Sequence, residues 1–359
     1  EGALRVPGAL HTGATDNQNM EVNGAGAALI VPAGGTAGAN EINVYNGGAL
    51  DISGAATTVN YNRIKSGSSL IVRDGGSFSS GLTGDKNTEW DDANTTLTIE
   101  AGGFAQGWRL HIRNGAAMDV YGEADVPGLD YNLQSNENIY IQSNTGTTFT
   151  VHAGGEVLSK NQFHTNDSST LNVLADGYVR VQNNTYMNGN GGLNTISGLF
   201  ETNFFEMRGD REVYVVGTAA KPAMLNMGID INGNPSNNDS NMQNAGTLRV
   251  GEFGTILNGV SGDRRRWRQW DGLVEVEPDG TFMAREFEMR RNSSLIVNGT
   301  LDLLGNLQTW EGGNTISGTG TILAPNVYIR DNETMAPGNS TGTLNSTVTG
   351  EFKFENGGI

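Results

Sequence analysis

Short apolar–polar–apolar alternations recur along the chain, each followed by a glycine-bearing turn and another apolar position. The phrase "LIVRDGGSF" at 70–78 is the clearest copy. Nine copies align on their second apolar anchor, at Val31, Val44, Val72, Ile99, Ile112, Val151, Val173, Val250 and Val276. Two residues before each anchor stands another large apolar residue. Four residues after it stands Gly, with Ala116 the exception, and six residues after it an apolar residue again, such as Phe78, Val157 or Phe282. "LIVNGTLDL" at 295–303 is a version with a shorter turn.

Alternation with period two places the two anchor residues on one face of a short strand and leaves the middle residue, such as Asn43, His111 or Arg249, facing solvent. The glycine is expected to supply a left-handed backbone in a tight corner. The next strand then buries the apolar residue six positions on. Strand, corner and strand cannot bury that face alone, but stacked copies can. The anchors lie 13 to 77 residues apart, which suits coils of roughly 20–28 residues with variable loops. The pattern predicts an all-β chain, a single-stranded parallel β-helix (β-solenoid) of roughly 14–17 coils. Residues 1–26 are expected to form a first coil or cap and 27–207 the solenoid. Residues 208–246 read as an irregular insertion, and 247–359 as the solenoid continuing, in a natural chain expected to run past Ile359. No amphipathic helix of useful length is predicted.

Composition agrees. Gly is abundant at 52 of 359 residues, Pro scarce at 8, and charged residues make up 17%, as suits many short strands and turns. Cys is absent, which excludes disulfides and Cys-ligated metal. No apolar run approaches the ~18–20 residues of a membrane-spanning helix. The chain starts at Glu1 without Met, as expected of a processed or excised piece. The net charge of −17 disfavours nucleic acid as a partner and reads first as solvation.

The stretch "NTISGTGTILAPNVYIRDNETMAPGNSTGTLNSTVTGEF" at 314–352 is the most distinctive. Its Gly318–Ile322 run, followed by Met335–Ser340 and Thr343–Leu344, resembles the repeats of autotransporter passengers and of large bacterial surface proteins. The resemblance is close over these residues and loose elsewhere. It implies a right-handed β-helix on or outside the cell and supplies no catalytic site.

Candidate chemistry is sparse. Pectin-hydrolase-like β-helices carry paired acids, then Gly-His-Gly, then Arg-Ile-Lys. Here Arg63–Lys65 precedes Asp91–Asp92 and no Gly-His-Gly exists. The histidines His11, His111, His152 and His164 show no metal spacing. "DINGNPSNNDSN" from Asp230 has Pro235 and Asn241 where an EF-hand needs Gly and Glu; a looser oxygen-ligand site for Ca2+ stays open there. Asn-x-Ser/Thr sequons, at Asn94, Asn166, Asn298 and Asn332 for example, are expected by chance in so Asn- and Thr-rich a chain. The island "GDRRRWRQWDG" at 262–272 sets Arg264, Arg265, Arg266 and Arg268 beside Trp267 and Trp270, residue types able to grip a glycan, an anionic lipid or another subunit by stacking and charge; Trp108–Arg109 and Arg290–Arg291 would extend such a patch if they share its face. A loop whose arginines pair with the protein's own carboxylates, with Trp over the core, is the plainer alternative. These readings point to a non-enzymatic extracellular or cell-surface solenoid: a stalk, a layer or filament subunit, or an adhesin passenger. Such a chain would self-associate into a homopolymer, belong to a larger chain, or bind surface glycan or protein. The alternative is a polysaccharide lyase or glycoside hydrolase on the same scaffold.

Overall fold

The computed structural model describes residues 2–11, 18–81, 87–126, 137–143, 146–229, 234, 236, 238–330, 333–338 and 344–355. Among them no helix occurs, and the strands stack in parallel as a β-solenoid of about 14 turns. The chain divides into two compact units, Glu1–Gln182 and Asn183–Ile359.

In the first unit each coil carries three short strands. Ser69–Val72, Ser77–Ser80 and Asn87–Asp91 make one coil, and Thr96–Ile99, Phe104–Gly107 and Arg109–Arg113 the next. First strands pair only with first strands, in strict register: Leu50, Leu70, Leu97 and Met118 form one inward column and Ile52, Val72, Ile99 and Val120 the next. All eight are at most 1% exposed. At about 25 cal/mol per Å2 of apolar surface buried, columns of this kind are the main stabilising term. In the second ladder Phe78 stacks between Ala56 and Ala105, so one large ring fills the room left by two methyl groups. The third ladder carries Ile64, Trp90 and Ile112 inward. Asn62 is one of several buried polar residues here. Its buried amide accepts from Ile42 N at 2.9 Å and donates to Thr58 Oγ1 at 2.7 Å and Ser80 Oγ at 2.5 Å, which satisfies it within the core.

The second unit repeats the scheme. Val213, Leu248, Val274, Leu295 and Ile316 stack on its first ladder, and Leu225, Ile256, Phe282, Leu301 and Ile322 on its second. The stretch 208–246 contains ladder strands Glu212–Val215, Ala223–Met227 and Ser240–Gln243. Glu212–Val215 pairs in register with Thr247–Val250, so these strands keep to the ladders of the repeat. Residues 1–26 supply Ala3–Arg5, Ala9–His11 and Asn19–Asn23, each paired with its counterpart one coil on.

Two sequence expectations change. The recurring glycine does not adopt a left-handed backbone. That conformation falls one residue earlier, at Gly34, Gly75, Gly102 and Gly154 and at Asp176, Phe253 and Asp279. The recurring glycine is needed because its α-carbon lies against the coil before it: a Cβ on Gly76 would sit 2.2 Å from the Ile52 carbonyl oxygen, and one on Gly155 2.2 Å from that of Val120. The phrase also marks two different corners. Val44 and Ile112 lie on third strands, so the spacings of 13 residues are steps within a coil. Ala116 stands at that other corner, where neighbouring coils place Ser68, Thr95 and Thr147, all buried.

Candidate functional site

The arginine–tryptophan island sits in the second unit. Gly254–Val260 runs into a two-residue antiparallel pairing with Asp263–Arg264, and Arg266–Trp270 then takes up the third ladder. Alternation sends Trp267 and Gln269 inward and leaves Arg266, Arg268 and Trp270 facing out. Trp267 is fully buried, edge-on to Phe282 at 5.6 Å between centroids. Arg264 is buried as well, donating to the Asp302 carbonyl and carboxylate, both at 2.8 Å. Arg265 donates to Asp263 at 2.5 Å and to the Ser236 carbonyl. Of the expected contact residues, Trp267 therefore serves the fold from inside the coil, and Arg264 is buried against the outward-facing Asp302. Arg266, Arg268 and Trp270 remain on the surface.

The ladder extends this surface with residues far away in sequence. Gln243, Trp270, Arg290 and Trp310 share one outward row, each in register with the next. The Arg330 guanidinium carbon lies 4.0 Å from the Trp310 ring centroid and 5.2 Å from that of Tyr328, and Arg290 lies 5.8 Å from Trp270. Each guanidinium is also tied to carboxylates: Arg266 to Glu286 at 2.8 Å, Arg268 to Asp239 at 3.1 Å, Arg290 to Glu311 at 3.1 Å and Arg330 to Glu355 at 2.8 Å. Glu288, only 2% exposed, receives Arg266, Arg268 and Arg290 together. The face is rich in aromatic and amide groups and close to charge-balanced, on a chain of net charge −17.

In the first unit the ladder brings the two pectin-hydrolase-like fragments side by side. Arg63 stands in register with Glu89 and Lys65 with Asp91. Lys65 Nζ reaches Asp91 at 3.1 Å and Glu89 at 3.6 Å, and Arg113 reaches Glu89 at 3.0 Å. Burial pushes the Asp91 carboxyl up, but the Asn114 hydrogen bond and the charges of Lys65 and Arg113 outweigh it and hold the group below its ordinary range. A carboxylate held ionised in this way is a poor general acid. Asp125 goes the other way, raised by burial against the opposing charge of Lys160; Gln106 and Leu158, not a second acid, are its register neighbours.

Three of the four histidines face out on the same unit. His111, Tyr140 and His164 form a column with ring centroids 5.5 and 6.0 Å apart. His152 stacks on Tyr121 at 3.8 Å and bonds Asp119 Oδ1 at 2.9 Å. Among the described residues no group of three or more His, Asp or Glu could hold a metal ion. Half of the loop considered for Ca2+ lies outside the described residues, as do Asn332 and the 339–343 part of the distinctive C-terminal phrase. Arg290, which the sequence offers as an extension of the arginine–tryptophan island, shares its face, but sequence reasoning missed Trp310, Tyr328 and Arg330 as members of that face. The signal lay in their spacing of one coil, about 20 residues in this region, legible only once coil length is known.

No protein-family profile matches the chain, and no curated protein matches its sequence. Among solved structures it is similar to a fragment (residues 55–350) of TibA, hyper-glycosylated by TibC, at 16% identity, covering 98% of this chain and 100% of that one, with a TM-score of 0.38. A superposition that loose adds nothing to the strand ladders, which establish the solenoid by themselves. Among the described residues no helix is long and apolar enough to cross a membrane.

Proposed function

We propose that the protein is a non-enzymatic solenoid of the cell surface or extracellular space, acting as an adhesive or structural element through its outward side chains. One observation carries the reading: outward charges pair with one another across successive coils. Arg73 joins Asp51 and Glu100 at 3.0 and 2.6 Å. Arg249 gathers Glu212, Glu275 and Glu277. Arg290 and Arg330 do the same on the third ladder. Each exposed pair contributes at most about 1 kcal/mol, but together they tie successive coils into one ordered outward surface. Arg266, Arg268 and Trp270 are the outward part of the contact set, for a glycan or another subunit. The sequence resemblance to autotransporter passengers supports the location.

The test is incubation with neutral and acidic polysaccharides, followed by assays for new reducing ends and for unsaturated products. The reading expects neither. Sustained turnover would overturn it in favour of the lyase or hydrolase alternative. Antibody labelling of intact native cells tests the location and should decorate the surface.

A further inference from the structure

Resting on the adhesive reading, we propose that the outward row of Trp270, Arg290, Trp310 and Arg330, with Tyr328 and Gln308 on the adjacent row, is a binding site for an uncharged, extended polysaccharide. Trp270 and Trp310 occupy the same register position two coils apart, which at about 4.8 Å per coil is about 10 Å. That is close to the advance of two sugar residues in an extended β-1,4-linked chain, so a chain running along the row would set every second sugar against an indole. Both indoles are partly exposed. Trp310 is held by Arg330, 4.0 Å from its ring centroid, and Arg330 is anchored in turn by Glu355 at 2.8 Å. An indole fixed before binding loses little freedom when a sugar arrives. The Gln308 amide is in register with Tyr328 and Glu288, where it can donate to and accept from hydroxyls.

Charge selects the ligand class. The row's guanidiniums are matched by Glu288, Glu311 and Glu355, so a polyanion would have to displace those carboxylates on a protein of charge −17. An uncharged chain faces no such competition.

The test is titration of the full chain, by calorimetry, with cellohexaose, xylohexaose, chitohexaose and a heparin hexasaccharide. At least one uncharged hexasaccharide should bind, at least tenfold tighter than its disaccharide. Trp310→Ala and Trp270→Ala should each weaken it at least tenfold, Trp310→Phe should retain most of it, and Trp108→Ala, on the other unit, should leave it unchanged. Unaltered thermal melting of the variants separates lost binding from lost fold. The proposal is overturned if no uncharged hexasaccharide binds, if heparin binds tightest, or if binding survives both alanine changes. Those outcomes bear on this site alone, whereas turnover of a hexasaccharide would overturn the non-enzymatic reading beneath it.

Discussion

Gly76→Ala should destabilise the solenoid more than Gly75→Ala, although Gly75 is the residue with the left-handed backbone. Gly75 has φ 70° and open space where a Cβ would go. Alanine there meets the left-handed penalty of about 1–2 kcal/mol, partly offset by the reduced freedom of the unfolded chain, about 0.5 kcal/mol. Gly76 carries no such φ, but its Cβ would lie 2.2 Å from Ile52 O and 3.0 Å from Arg73 O. Relief requires the corner to move by about 1 Å, since ordinary carbon–oxygen contacts begin near 3.4 Å. That movement strains three bonds: Gly76 N to Arg73 O at 2.8 Å, Ser77 N to Gly54 O at 2.8 Å and Phe104 N to Gly76 O at 3.0 Å. At about 1 kcal/mol each the loss is about 3 kcal/mol, against about 1 kcal/mol for Gly75→Ala. Thermal melting ranks the two variants, and hydrogen exchange at Ser77 and Phe104 localises the damage. Equal or greater destabilisation by Gly75→Ala would refute the close-approach explanation and restore the left-handed turn as the reason for the glycine.

Trp267→Ala should destabilise by about 3–5 kcal/mol, as for a buried aromatic, while Trp270→Ala changes stability by less than about 1 kcal/mol; chemical denaturation distinguishes them, and similar losses would mean that Trp270 is not on the surface. Asn62→Ala leaves Ile42 N without its acceptor and the Thr58 and Ser80 hydroxyls without their donor, a loss of about 2–3 kcal/mol that a wild-type melting temperature would contradict. Burial pushes the His164 imidazole down to about 4 from 6.5. Its neutral form is the one folded, so its contribution is complete above pH 6.5 and is lost as pH falls from 6.5 towards 4. The whole contribution is at most about 3 kcal/mol, and His164→Gln should flatten the stability profile in that window; an unchanged slope would remove the assignment.

The repeat was legible because inward positions are mostly apolar, and alternation brings Leu70 and Val72, or Leu97 and Ile99, to one face. Of the coils with a tight corner only "LIVNGTLDL" at 295–303 was legible; the others escaped. At Gly54, Gly122 and Gly320 the glycine follows the first strand by only two residues, in "DISGA", "DVYGE" and "GTGT". A search tuned to the longer turn passes over these, although a Cβ on Gly54 would likewise fall 2.2 Å from Gly35 O. Phrases from two kinds of corner were therefore merged, and the ladder strands Glu212–Val215, Ala223–Met227 and Ser240–Gln243 were read as part of a break. The site was half legible. Strict alternation in "RWRQW" (266–270) already assigns Trp267 inward and Trp270 outward. Trp310 and Arg330, separated from it by whole coils, join it only through the register of the ladder. The buried Arg264 was not legible at all, because its partner Asp302 lies 38 residues on, across the coil stack.

The absence of cysteine makes that register directly measurable. Ser69 and Thr96 are outward partners on adjacent coils, and Thr96 is in turn the partner of Ala117. At about 4.8 Å between neighbouring strands, Ser69→Cys with Thr96→Cys falls within the span a disulfide bridges. Ser69→Cys with Ala117→Cys, two coils or about 10 Å apart, does not. Under mild oxidation the first pair should close within the monomer and the second should stay reduced, as read by mass spectrometry of linked peptides. Closure of the second pair, or failure of the first in a folded protein, would contradict the in-register parallel solenoid.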